Sequence, residues 1–204
     1  MKRATAVVAV ALGLLLRMAT AAAAPPDSAA PLAVQFEFRD LGPGLVFVRA
    51  RADLPCAPPQ AYDVVADFDH IADYASAVDS SAVVGRDSSA VVVRQVGRTR
   101  FFLARQVRLT LRFVEAPPHL LRFEIAGGDF RVYYGSWRFE PQADGTRLVY
   151  AVTFEPPAWL PRPLLRHVME RDLRALMPEI AAEIRRRGVT APESAVPPTR
   201  GSPR

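Results

Sequence analysis

From Ser80 to Glu155 the chain alternates apolar and polar residues with period two almost without a break, as half-buried strands do. Strands are expected at about 80–86, 89–97, 99–115, 119–127, 130–141 and 146–155. They are separated by the turn signals Asp87-Ser88, Gly97, Ala116-Pro117-Pro118, Gly127-Gly128-Asp129 and Gln142-Ala143-Asp144-Gly145. Connections this short join antiparallel neighbours, because a parallel crossover needs a dozen residues or more. Upstream, Val34–Arg39 alternates, Leu41-Gly42-Pro43-Gly44 turns the chain and Leu45–Asp53 continues, which reads as an opening hairpin. Pro58-Pro59 then marks a helix start. Two short helical stretches follow, 61–67 and 70–78, with Tyr62, Val65, Phe68, Ile71 and Tyr74 on apolar positions.

After the prolines at 156, 157, 161 and 163 the period changes. Leu165, Met169, Leu173, Leu176, Ile180 and Ile184 recur at spacings of three and four, predicting one long amphipathic helix over about 162–187. Arg185-Arg186-Arg187 suits the negative end of its dipole, and Gly188 is placed to end it. Pro178 removes an N–H from the helix interior, so a kink is expected near 174–178. The fold class that follows is α+β. A curved antiparallel sheet with one apolar face must cover that face, and only the final helix is long enough to do so.

A chain of 204 residues carrying net charge +5 suggests one basic domain, but the charge is unevenly placed. Residues 1–24 join Lys2-Arg3, the apolar run Ala4–Leu16 and the small-residue stretch ending at Ala24, the layout of a secretory signal cleaved within Ala21–Ala24. The run is shorter than a bilayer span and Arg17 interrupts it. A lead-in over 25–44 carries the first strand of the hairpin, a domain follows over 45–187, and 188–204, rich in Pro, Ser and Thr, reads as a disordered tail. The signal accounts for +3 of the charge and the tail for +1, leaving +1 on the remainder. A near-neutral domain gives no electrostatic basis for nucleic acid as a partner. Cys56 is the only cysteine, so no internal disulfide forms. His70, His119 and His167 are scattered without metal-ligand spacing, and no phosphate loop, dinucleotide fingerprint or GxSxG elbow occurs. No metal or cofactor is expected, and no catalytic residue stands out. The acidic cluster Asp63, Asp67, Asp69, Asp73 and Asp79 lacks the glycine of a calcium loop and reads as a solvated face.

The order of elements and its local wording resemble a known superfamily. Val64-Val65-Ala66-Asp67-Phe68-Asp69-His70 with Tyr74 resembles the early helix pair of START-like, helix-grip proteins, also called the polyketide cyclase/dehydrase and lipid-transport superfamily. Val83-Val84-Gly85-Arg86-Asp87 resembles their next strand. Tyr134-Gly135-Ser136-Trp137-Arg138-Phe139-Glu140-Pro141 with Asp144-Gly145-Thr146-Arg147-Leu148 looks like their penultimate hairpin. Within that superfamily the look is toward the branch of coenzyme Q-binding proteins and aromatase/cyclases. The resemblance implies an internal apolar cavity between sheet and long helix, in which members hold lipids, quinones, sterols or aromatic polyketides.

On that expectation the candidate cavity residues are Phe101, Leu103, Arg105, Val107 and Leu109 from the longest strand, followed by Leu121, Phe123, Tyr133, Trp137 and Phe139 from the next two. Leu165, Met169 and Leu173 complete the set from the helix. Phe101, Leu103, Val107, Leu109, Leu111 and Phe113 share one parity. Arg105 is in phase with them, and an inward guanidinium would need a polar headgroup as its partner. A β-bulge before it would turn it outward instead. Tyr133, Tyr134, Ser136 and Trp137 are candidate hydrogen-bond donors. The expected function is non-catalytic binding or transport of a hydrophobic small molecule in the periplasm or outside the cell. Glu155–Pro163, with Trp159 and Leu160, would form a lid and a membrane-touching edge. An aromatase/cyclase enzyme and a protein-interaction module with a filled core are the alternatives.

Overall fold

The computed structural model describes residues 31–99, 105–156 and 160–190. The signal-like segment 1–24, Phe101, Leu103, Trp159 and the tail beyond Thr190 lie outside the described residues. Among those described, eight strands form one antiparallel sheet: β1 (Gln35–Gly42), β2 (Leu45–Leu54), β3 (Val78–Arg86), β4 (Val91–Thr99), β5 (Arg105–Ala116), β6 (Leu120–Gly128), β7 (Tyr133–Gln142) and β8 (Gly145–Phe154). Their order is β1-β2-β8-β7-β6-β5-β4-β3, so a meander from β3 to β8 closes onto the opening hairpin. Between β2 and β3 run α1 (Pro58–Val65), a single 3₁₀ turn at Phe68–His70 and α2 (Ile71–Tyr74); α3 (Arg162–Thr190) follows the sheet. This is the helix-grip α+β fold.

The alternation dictates which face is covered. Val46, Val48, Ala50, Ala52 and Leu54 of β2 are buried, and so are Leu148, Tyr150, Val152 and Phe154 of its neighbour β8, in register from Val46–Phe154 to Leu54–Thr146. On α3 the buried set is Leu165, Val168, Leu173, Met177, Ile180, Ala181 and Ile184. The helix is also tied by polar contacts at three heights. Arg174 Nη1 donates to the Val34 carbonyl (3.1 Å), the Ser76 N–H donates to Glu179 (3.1 Å), and Arg187 pairs with Asp67 (2.9 Å). At its end Glu183 is buried and accepts hydrogen bonds from Arg186 and Arg187, and that pairing, led by Arg186, holds its carboxyl down at about 2.

The acidic cluster is more engaged than a solvated face. Asp67 holds Arg187 and His70 (2.7 Å), and Asp69 accepts the Val83 N–H (2.7 Å), fastening the 3₁₀ turn to β3. The expected strand 99–115 is divided: β4 ends at Thr99 and β5 starts at Arg105, the two residues paired across a hairpin. Gly97, read as a turn, lies inside β4. A Cβ there would come within 3.3 Å of the Ala77 carbonyl, so this glycine admits the chain leading into β3 and does not reverse β4. Gly188 does not stop α3 either, which continues to Thr190 and runs across Pro178.

Candidate functional site

Between the concave face of the sheet and α3 lies a cavity of about 1020 Å³. This is at the top of the roughly 300–1,000 Å³ range of small-molecule sites, and far larger than the voids that well-packed interiors leave. Met177, Ala181 and Ile184 of α3 pack in the core without bordering the cavity. From α3, Leu165, Val168, Met169, Leu173, Leu176 and Ile180 form one wall.

The opposite wall is aromatic. Phe113 of β5, Phe123 of β6, Tyr133 and Trp137 of β7, and Tyr150 and Phe154 of β8 all border the cavity. Their contacts form one continuous chain. Phe68 lies 4.5 Å from Phe113, Phe113 lies 5.7 Å from Phe123, and Phe123 lies 5.8 Å from Tyr133 and 5.9 Å from Tyr150, nearly parallel to the latter. Trp137 packs on Tyr150 at 4.6 Å, and Phe130 closes the end against Tyr133 (5.3 Å) and Phe154 (5.7 Å). Such ring contacts add about 0.5–1.5 kcal/mol each beyond area burial. Phe130 reaches its place because β6 and β7 pair only from Leu120–Arg138 to Glu124–Tyr134. Beyond that the strands part, and the connection between them carries Phe130.

Polar groups in the lining are few. Within the aromatic wall the Tyr133 and Tyr150 hydroxyls are hydrogen-bonded to each other at 2.8 Å. Burial raises the pKa of both phenols, so both are neutral donors at physiological pH. Elsewhere Gln95 donates to Ser81 (3.2 Å), Asp129 accepts the Arg108 backbone N–H (2.7 Å), and Asp172 is paired with Arg171 (2.7 Å). Both carboxylates that border the cavity are thus already held. Among the described residues its lining includes no histidine or cysteine, and no three His, Cys, Asp or Glu side chains are grouped to hold a metal ion.

The structure brings together Val107, Leu109, Phe123, Tyr133, Trp137, Leu165, Met169 and Leu173 around the cavity. Leu121 and Phe139 lie elsewhere: both are fully buried in the packed core, with the Phe139 ring 5.3 Å from Tyr62. Parity put them on the covered face without distinguishing cavity from core. Arg105 begins β5, and its side chain lies outside the described part. Tyr134, on the opposite parity, is half exposed on the outer face. The pattern reading missed Tyr150, Phe154, Phe68 and Phe130. For Tyr150 and Phe154 the signal was present, since they share parity with Leu148 and Val152, but β8 is buried on both faces and its alternation is muted.

The model of a family described as polyketide cyclase/dehydrase and lipid transport matches residues 46–185. A Thermus thermophilus protein is similar at 27% identity and TM-score 0.63, over 69% of this chain and 98% of that one. The ZhuI aromatase/cyclase from a Streptomyces species aligns at 19% identity and TM-score 0.64, over 72% and 98%. A STAR-related lipid transfer protein fragment from Xanthomonas axonopodis aligns at 15% and 0.61, over 76% and 97%. At these last two identities the likeness is one of fold. A search of curated proteins finds no match.

Proposed function

Because the chain belongs to the polyketide cyclase/dehydrase and lipid transport family, we propose that it binds and carries a hydrophobic small molecule in the cavity without transforming it. The observation that supports this most is the cavity itself: about 1020 Å³, one wall aliphatic and the other aromatic. Each 100 Å² of apolar ligand surface taken out of water there contributes about 2.5 kcal/mol, before the cost of immobilising the ligand. A cyclase would call for a positioned acid or base. Among the described residues the lining's two carboxylates are engaged in hydrogen bonds and ion pairs, and the Tyr133 and Tyr150 hydroxyls are bonded to each other. Within the family, the wording of Val64–His70 and Tyr134–Pro141 favours the coenzyme Q-binding branch and hence a quinone-like or lipid ligand.

The signal-like layout of residues 1–24 favours action in the periplasm or outside the cell, with membranes as source and sink of the ligand. Leu160, which borders the cavity at the start of α3, belongs to the edge that would meet a membrane. No helix among the described residues is long and apolar enough to cross one.

The test is titration with N-phenyl-1-naphthylamine, a neutral dye that fluoresces in apolar surroundings. Binding that saturates at one dye per chain supports the reading. A linear, unsaturable signal equal to that of an unrelated folded protein overturns it.

A further inference from the structure

The Tyr133–Tyr150 couple has one hydrogen more than it uses. Two phenols joined by a single hydrogen bond hold two O–H hydrogens, and the bond between them consumes one. Whichever tyrosine donates, the other keeps a hydrogen to give. Among the described residues neither hydroxyl has a further hydrogen-bond partner, and both rings border the cavity. Around them stand Phe123, Trp137 and Phe154, with no polar group of their own that could accept it. The spare hydrogen faces the cavity, so an acceptor atom brought there by a ligand gains one hydrogen bond, a net contribution of about 0.5–1.5 kcal/mol.

The charge of that ligand follows from the rest of the lining. The acidic residues bordering the cavity are Asp129 and Asp172, and Arg108, the described cation bordering it, is exposed and donates one long hydrogen bond to the Gln106 amide oxygen (3.4 Å). A carboxylate or phosphate reaching the tyrosines would lose its hydration to a phenol and aromatic faces, with no described cation beside it. A carbonyl, ether or similar uncharged oxygen loses far less and gains the spare hydrogen.

We infer that the Tyr133–Tyr150 couple is the orienting and selecting point of the cavity, and that its ligand is an uncharged, ring-bearing molecule presenting an acceptor oxygen to the β7–β8 wall. The inference rests on the cavity being a binding site and adds where the ligand's polar atom lies and what charge it carries. It also makes the couple redundant in a specific way. Converting one tyrosine to phenylalanine frees the other from its partner and leaves a donor in place, so only the loss of both removes the anchor.

Three probes of nearly one shape separate these claims: 2-acetylnaphthalene, 2-ethylnaphthalene and 2-naphthoate, each titrated calorimetrically into the full chain. The unaltered protein is expected to bind the ketone about tenfold more tightly than the hydrocarbon, the worth of one net hydrogen bond of about 1.4 kcal/mol, and the carboxylate at least tenfold more weakly than the ketone. Tyr133→Phe and Tyr150→Phe singly keep at least a threefold preference for the ketone. The double variant binds ketone and hydrocarbon within twofold of each other, and a circular-dichroism spectrum like that of the unaltered protein reports that it is folded. Equal binding of ketone and hydrocarbon by the unaltered protein, a preference that survives in the double variant, or a carboxylate bound as tightly as the ketone overturns the anchor and leaves the cavity reading standing. Failure of both uncharged probes to bind overturns the two together.

Discussion

The ring of Phe123 on β6 lies directly over Gly135 of β7, its cross-strand partner: a Cβ at position 135 would stand 2.7 Å from the ring tip and 2.1 Å from the Ala151 carbonyl of β8. The glycine is what lets three strands approach closely enough for Phe123 to reach Tyr150 and Tyr133 together. Gly135→Ala is therefore expected to cost at least about 2 kcal/mol in urea unfolding, because both neighbours must move. It should also weaken N-phenyl-1-naphthylamine binding by several fold. An alanine variant as stable as the parent and binding as well would show that the Phe123 placement does not depend on this contact.

Filling the cavity should separate binding from stability. Leu176 borders it from α3 and is only half buried, so Leu176→Trp has empty space to enter. Dye affinity is expected to fall by more than tenfold while the unfolding midpoint holds or rises, since new contacts replace void. Loss of affinity accompanied by unfolding would mean that the tryptophan has no such space.

Core and cavity wall should respond differently to truncation. Phe139, fully buried against Tyr62, is expected to lose about 3–5 kcal/mol on replacement by alanine. Met169 faces the cavity on one side and has fewer atoms packed around it, so Met169→Ala should cost under about 1 kcal/mol. Parallel urea titrations compare the two directly, and equal losses would mean that the cavity is filled by protein in solution.

Acid should release the far end of α3. Hydrogen bonding from Arg186, joined by Arg187 and opposed by burial, takes the Glu183 carboxyl from its ordinary 4.5 to about 2. A depressed carboxylate stabilises the folded chain fully above its ordinary value, and that contribution fades as pH falls from about 4.5 toward 2. Glu183→Gln should thus cost about 1–2 kcal/mol at pH 7, discounted because Arg186 is largely exposed, and progressively less below pH 4.5. A cost that does not change between pH 7 and pH 3 would contradict this origin.

How much of this was legible in the sequence depends on the kind of question asked. Period two placed the strands of the meander to within a few residues, and the stripe Leu165–Ile184 placed α3, because both patterns report which face is covered. Glycine was less informative. Gly97 and Gly188 have the composition of stops yet sit inside β4 and α3, one serving a close backbone approach and the other tolerated near a helix end. Reading Gly97 as the turn displaced the hairpin, in which β4 and β5 remain paired as far as Thr99 and Arg105. The site was harder still. Parity assigns Phe123 and Phe139 to one face, but only the packing of Tyr62 from α1 onto Phe139 separates the packed residue from Phe123, which borders the cavity. The Tyr133–Tyr150 contact joins residues from two strands in a register that no local pattern encodes.

The most direct measurement of the central claim is native mass spectrometry of the protein purified from its own host, alongside the Leu176→Trp variant and followed by solvent extraction. The account predicts an adduct of a few hundred daltons on the unaltered chain, extractable as an uncharged hydrophobic molecule and absent from the filled variant. An unaltered chain that flies at its bare mass, and that takes up neither N-phenyl-1-naphthylamine nor lipid extract when offered them, would contradict it.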